Sequence, residues 1–121
     1  MSGRPPEFRA ESQSLSGAPG VIVRGEVDVS TVAKLTAALD AAIRASTGAF
    51  VVDLTPVDFL DSSGISALVR ARALLARDDR ELAVVCPPGP VRRIFEVAGI
   101  DDLLVLFASR EEAAAALRPA R

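Results

Sequence analysis

The apolar positions of this chain form short continuous runs and longer runs spaced by three and four, the signatures of strand and helix respectively. Residues 7–15, with Phe8 and Ala10 ahead of a serine-rich stretch, predict a weak strand suited to a sheet edge. Ser16-Gly17-Ala18-Pro19-Gly20 is turn chemistry, because Gly tolerates positive φ and Pro fixes its own. The β-branched run Val21-Ile22-Val23, continuing toward Val27, predicts a second strand and hence an edge hairpin. Ser30 or Thr31 then offers a hydroxyl to cap a helix whose apolar face is Val32, Leu35, Leu39, Ala42 and Ile43, ending near Gly48. Ala49-Phe50-Val51-Val52-Asp53-Leu54 has the length and near-continuous apolarity of a strand covered on both faces, and Pro56 stops it.

The second half repeats the alternation. A helix is expected after Asp61-Ser62-Ser63-Gly64, with Ile65, Leu68, Val69, Leu75 and Ala76 as its stripe and Asp78-Asp79-Arg80 closing it. Leu82-Ala83-Val84-Val85-Cys86 predicts another buried strand. Pro90 is placed for the first turn of a short helix carrying Val91, Ile94 and Phe95 and ending at Gly99. Residues 103–107 predict a last strand, and Ser109 caps a final helix over residues 110–117, where Glu111 and Glu112 favour its positive end. Strands alternating with helices over short loops predict an α/β domain, with a mixed sheet of four or five strands and about four helices. Its expected bounds are residues 7–118, with residues 1–6 as a disordered lead.

Composition narrows the chemistry. At 121 residues, half of them apolar, the chain can bury a core of its own. The net charge of −2 gives no basic excess with which to neutralise nucleic-acid phosphates, so direct nucleic-acid binding is not expected. There is no His and a single Cys, Cys86, which excludes a His-based triad, a His/Cys zinc centre and an intramolecular disulfide. Cys86 ends an apolar strand and is expected to be a small buried hydrophobe. No cofactor, metal or catalytic residue is expected. No apolar run approaches the roughly 20 residues that span a bilayer, and the start carries no hydrophobic signal segment, so a cytoplasmic protein is expected.

Two loops stand out, each between a predicted strand and a predicted helix, where open α/β sheets tend to place their sites. One is Gly25-Glu26-Val27-Asp28, and the other runs from Asp58 to Ile65. Ser62 or Ser63 falls at a helix N-terminus, whose free N–H groups and dipole favour negative charge. A hydroxyl there is at the least an N-cap worth about 1 kcal/mol, and a capping hydroxyl can still accept a phosphoryl group. Asp28 and Asp61 flank the position, each at the least a loop or capping carboxylate on a solvated surface. Of the apolar pair beside it, Phe59 and Leu60, one is expected in the core and the other on a contact surface. A small enzyme built on Asp28, Asp61 and Ser62 lacks a His base, a metal cluster and a Walker-type phosphate loop.

Four blocks, Gly25-Glu26-Val27-Asp28, Val51-Val52-Asp53-Leu54, Phe59-Leu60-Asp61-Ser62-Ser63-Gly64-Ile65 and residues 91–100, occur in the order and spacing of the STAS domain. The chain resembles the stand-alone bacterial anti-sigma factor antagonists of that family over most of its length. The resemblance implies a STAS-like fold and a partner switch. In it, the unphosphorylated protein binds an anti-sigma factor that is also a serine kinase and so releases a sigma factor. Phosphorylation of the first Ser of Asp-Ser-Ser-Gly, here Ser62, dissolves the complex, and a PP2C-type phosphatase resets it. Asp28, Asp61, Ser63 and Gly64 match the partner-binding positions, and a monomer is expected when free. Leu60 and Ile65 stand where Met and Leu are frequent. The alternative within the fold is a STAS subunit of another assembly, such as a stressosome-like scaffold or a lipid-transport accessory.

Overall fold

A computed structural model describes residues 7–100 and 102–117; the expected lead of residues 1–6 and the end of the expected domain at residue 118 lie outside the described residues. The chain opens with an antiparallel hairpin of β1 (Arg9–Leu15) and β2 (Ala18–Val27), β1 forming the sheet edge as expected. Its turn is only Ser16-Gly17, both at positive φ, the conformation that suits the twist of a two-residue hairpin loop. Ala18, Pro19 and Gly20, expected in the turn, belong to β2 instead.

Helix α1 (Val32–Arg44) buries Leu35, Leu39, Ala42 and Ile43, four of the five positions its periodicity marked, and Val32 is half-buried. Arg80 then binds its end: Nε donates to the Gly48 carbonyl, and the terminal nitrogens donate to the Ile43 carbonyl and the Ser46 hydroxyl. Next come β3 (Phe50–Asp53), buried throughout, and β4 (Val57–Leu60). Helix α2 (Ser62–Ala76), β5 (Leu82–Val85), α3 (Pro90–Ala98), β6 (Leu106–Phe107) and α4 (Arg110–Ala116) complete the order. Pro90 starts α3 and Gly99 ends it in the left-handed conformation. Ser109 caps α4 by accepting from the Glu112 N–H.

The mixed α/β class and the four helices among the described residues are as expected. Among the described residues the sheet has a sixth strand, β4, and three of its residues, Asp58, Phe59 and Leu60, fall in the expected loop from Asp58 to Ile65. The main path of the sheet runs β1-β2-β3-β5-β6, parallel beyond the first hairpin. Strand β2 changes neighbour along its length: Gly20 to Ile22 pair with β3, and Gly25 to Val27 pair with β4. The change falls at an irregularity at Gly25, whose φ of 90° strains any residue with a Cβ. The final strand is shorter than residues 103–107, because the Leu103 and Leu104 N–H groups donate to the Ile100 carbonyl in a turn.

Both faces of the sheet are covered. On one, Val21, Val23, Phe50, Val52 and Val84 pack with Leu35 and Leu39 of α1, Leu68 and Leu75 of α2, and Phe95 of α3. On the other, Ile22, Val51, Ala83 and Val85 pack with Leu15 and with Ala113 of α4. The α2 stripe is rotated from the expected one: Gly64, Ala67, Leu68, Ala71 and Leu75 are buried, Ile65 and Val69 are half-buried, and Ala76 faces solvent. Cys86 is buried as expected, and burial pushes its thiol pKa up to about 11.

Candidate functional site at the carboxyl end of the sheet

The register of β2 and β4 builds the site. Val27 pairs with Leu60, and the Asp61 N–H donates to the Val27 carbonyl at 3.1 Å. The residues that follow, Asp28 and Asp61, therefore leave adjacent strands side by side although far apart in sequence, parallel neighbours lying roughly 4.8 Å apart.

Each aspartate organises its loop in the same way. Asp28 Oδ1 accepts from the Ser30 N–H at 2.9 Å and from the Ser30 hydroxyl at 2.6 Å. Asp61 Oδ1 accepts from the Ser63 N–H at 2.9 Å and from the Ser63 hydroxyl. Asp53, at the end of β3, holds Thr55 by the same two bonds, at 2.9 and 2.6 Å. An Asp followed two residues later by Ser or Thr thus ends three parallel strands, each an Asx turn that converts strand into loop. Asp53 is 2% exposed, and its other oxygen accepts from Arg110 Nε at 2.6 Å, which ties α4 to this end of the sheet. The Ser30 hydroxyl and then its N–H hold the Asp28 carboxyl below the usual carboxylate range, so it stays charged at neutral pH.

The cap of α2 is Asp61, not Ser62 or Ser63. Its carboxylate accepts from the Ser63 N–H while its carbonyl accepts from the N–H groups of Gly64 and Ile65. Asp and Ser rank alike as caps, and the helix begins one residue earlier than a serine cap requires. Thr31 does hold the cap position of α1, but its hydroxyl turns back to donate to the Glu26 carbonyl at 2.9 Å. The two serines consequently differ. The Ser63 hydroxyl is engaged by Asp61, whereas Ser62 is exposed and its hydroxyl makes no hydrogen bond among the described residues. Asp28, Asp61 and Ser63 are half-buried.

Gly64 is buried, so any part it takes in a partner contact is indirect. A Cβ there would lie 2.8 Å from Val27 Cγ1 and 2.9 Å from Leu60 Cγ, on the two residues that lead into Asp28 and Asp61. Glycine lets the first turn of α2 sit directly on the ends of β2 and β4. Gly64→Val is expected to cost about 1–3 kcal/mol by overpacking, read as a lowered urea midpoint; an unchanged midpoint would mean that the helix is not seated there.

Of the apolar pair beside the serines, Leu60 is core at 1% exposure and Phe59 is 46% exposed. Val29, next to Asp28, is 80% exposed. The sequence reading missed Val29, and it also missed Arg93 of α3, which lines a cavity together with Ser62. Among the described residues no three acidic or Cys side chains converge as a metal site, and no helix is long and apolar enough to cross a membrane.

An exposed Ser opening α2 thus stands beside two acidic loops that leave the parallel strands β2 and β4. The STAS domain family model matches residues 11–113, and the chain belongs to that family. Over 84 residues it is 33% identical to the anti-sigma-B factor antagonist of Staphylococcus aureus, covering 69% of this chain and 78% of that one. The crystal structure of an anti-sigma factor antagonist from Mycobacterium paratuberculosis superimposes with a TM-score of 0.80 at 26% identity, covering 93% of this chain and 96% of that one. The Bacillus cell fate determinant SpoIIAA in its phosphorylated form has the same fold, with a TM-score of 0.61 at 23% identity, covering 93% of this chain and all of that one.

Proposed function

We propose that this protein is an anti-sigma factor antagonist that works by switching partners. In its unphosphorylated form it binds a kinase-type anti-sigma factor and frees a sigma factor. Transfer of the γ-phosphoryl group of ATP to the Ser62 hydroxyl ends that binding, and a PP2C-type phosphatase restores it. The observation that carries the reading is the state of Ser62: exposed, not hydrogen-bonded among the described residues, and flanked by Asp28 and Asp61, which leave adjacent strands. Exposed Phe59 and Val29 beside these acids supply apolar area of the kind partner surfaces use. Asp28, Asp61 and Ser63 form the partner-facing rim, and Gly64 supports it from below. The chain acts by binding rather than catalysis, in the cytoplasm, as a domain of residues 7–118 that is monomeric when free.

Incubation with the cognate kinase and ATP, followed by peptide mass spectrometry, is expected to place one phosphoryl group on Ser62 and none on Ser62→Ala. Modification mapped to Ser63 with Ser62 untouched would defeat the assignment. Because Asp61 and not Ser62 caps α2, Ser62→Ala is expected to change stability by no more than about 0.5 kcal/mol, an ordinary surface substitution rather than the loss of a cap.

A further inference from the structure

Ser62 lines a cavity of about 570 Å³ between the first turn of α2 and helix α3, among the apolar side chains of Ile65, Ile94 and Val97. The other polar side chain on that wall is Arg93. Its neighbour Arg92 donates to the Cys86 carbonyl, whereas Arg93 is exposed and makes no hydrogen bond or ion pair among the described residues. A phosphoryl group on Ser62 cannot use the α2 N-terminus freely, because the Asp61 carboxylate already occupies it with the same sign of charge. Among the described residues, an available cation, Arg93, lines the same cavity as Ser62. An apolar wall screens charges less than open water does, and a guanidinium matches phosphate oxygens in a bidentate fork.

We propose that Arg93 is the counter-ion of the phosphoryl group on Ser62, so that α3 contributes to the phosphorylated state of the switch. This rests on Ser62 being the phosphoacceptor. The pairing ties the first turn of α2 to α3 in one phosphorylation state only, which makes the groove between them a surface that differs between the two states.

The test uses the full chain with phosphoserine encoded at position 62 during translation, which makes it independent of any kinase. Phosphorus NMR then follows the second ionisation of the phosphate against pH in the otherwise wild-type protein, in Arg93→Gln and in Arg77→Gln. Arg77 follows the last turn of α2 and is exposed, about 22 Å along the helix from Ser62 at 1.5 Å per residue. It removes the same charge at a distance, while Asp28, Asp58 and Asp61 are common to all three proteins. The midpoint is expected to rise by about half a pH unit in Arg93→Gln, as a nearby cation no longer favours the dianion, and to stay unchanged in Arg77→Gln. An unchanged midpoint in Arg93→Gln, or an equal rise in both variants, would overturn the pairing. A kinase that fails to modify Ser62 would strike the proposed function and leave these titrations standing.

Discussion

Truncating Leu68 to alanine is expected to remove about 2–5 kcal/mol of folding stability, a large part of the roughly 5–15 kcal/mol that holds a domain of this size together. Leu68 is fully buried on the inner face of α2, in the cluster that also holds Leu35, Leu39, Phe50 and Val52. The loss combines the transfer of its methyl groups back to water with the void left among side chains from α1 and the sheet. Urea unfolding should show a lower midpoint with an unchanged slope, since the surface exposed on unfolding hardly differs between Leu68→Ala and the wild type. Ala76→Ser on the same helix is the control: Ala76 is exposed, so its replacement should stay within about 0.5 kcal/mol. If Leu68→Ala were as mild as Ala76→Ser, α2 would not be docked through Leu68 on this core. Partner binding would weaken with Leu68→Ala as well, because α2 carries Ser62 and is positioned by this packing.

That control arises from a limit of periodicity. Ile65, Leu68, Val69, Leu75 and Ala76 form a plausible stripe because each is apolar, but the small residues Gly64, Ala67 and Ala71 lie on the buried face with Leu68 and Leu75. Small residues carry little hydrophobic signal even where they govern packing. The strands that are buried on both faces, β3 and β5, were legible because burial forces apolarity at successive positions, whatever the neighbours. Strand β4 was not legible. Of its four residues only Val57 and Leu60 are buried, and it is a strand because β2, paired with β3 as far as Ile22, takes β4 as its partner from Gly25 on. That event lies more than 30 residues upstream, outside any local window.

The site shows the same division. The motif residues marked both loops, and the pairing of Val27 with Leu60 makes them neighbours. Which residue caps α2 stayed open in the sequence because Asp61 and the two serines are equivalent candidates by composition; only the backbone geometry separates them. The sequence does carry a repeated signal for these turns: Asp28, Asp53 and Asp61 each precede Ser or Thr by two residues, and all three form the same turn. Arg93 had no local signal at all, because its place opposite Ser62 depends on the seating of α3 by Val91 and Phe95 on the core.

Phosphorylated at Ser62, the protein is expected to bind its anti-sigma factor at least a hundredfold more weakly than the unmodified form. A phosphoryl group adds about −1.5 to −2 charges at pH 7. One like charge on the partner 5 Å away, at an effective dielectric near 20, opposes it by roughly 3 kcal/mol. A hundredfold loss requires only about 2.7 kcal/mol. The added charge arrives at a rim already acidic through Asp28 and Asp61, so a partner built for the unmodified rim has little means of neutralising it. Ser62→Ala should bind like the unmodified protein, since only an exposed hydroxyl is lost. Ser62→Asp should fall between, because it brings one charge and a smaller group. Titration calorimetry of the four forms against the anti-sigma factor, with circular dichroism to show a common fold, separates these cases. No refolding is needed, because Asp61 and not Ser62 holds the helix start, and the four spectra should coincide. Equal affinities for the phosphorylated and unmodified forms would remove the switch, and a changed spectrum on phosphorylation would replace local repulsion with a conformational mechanism.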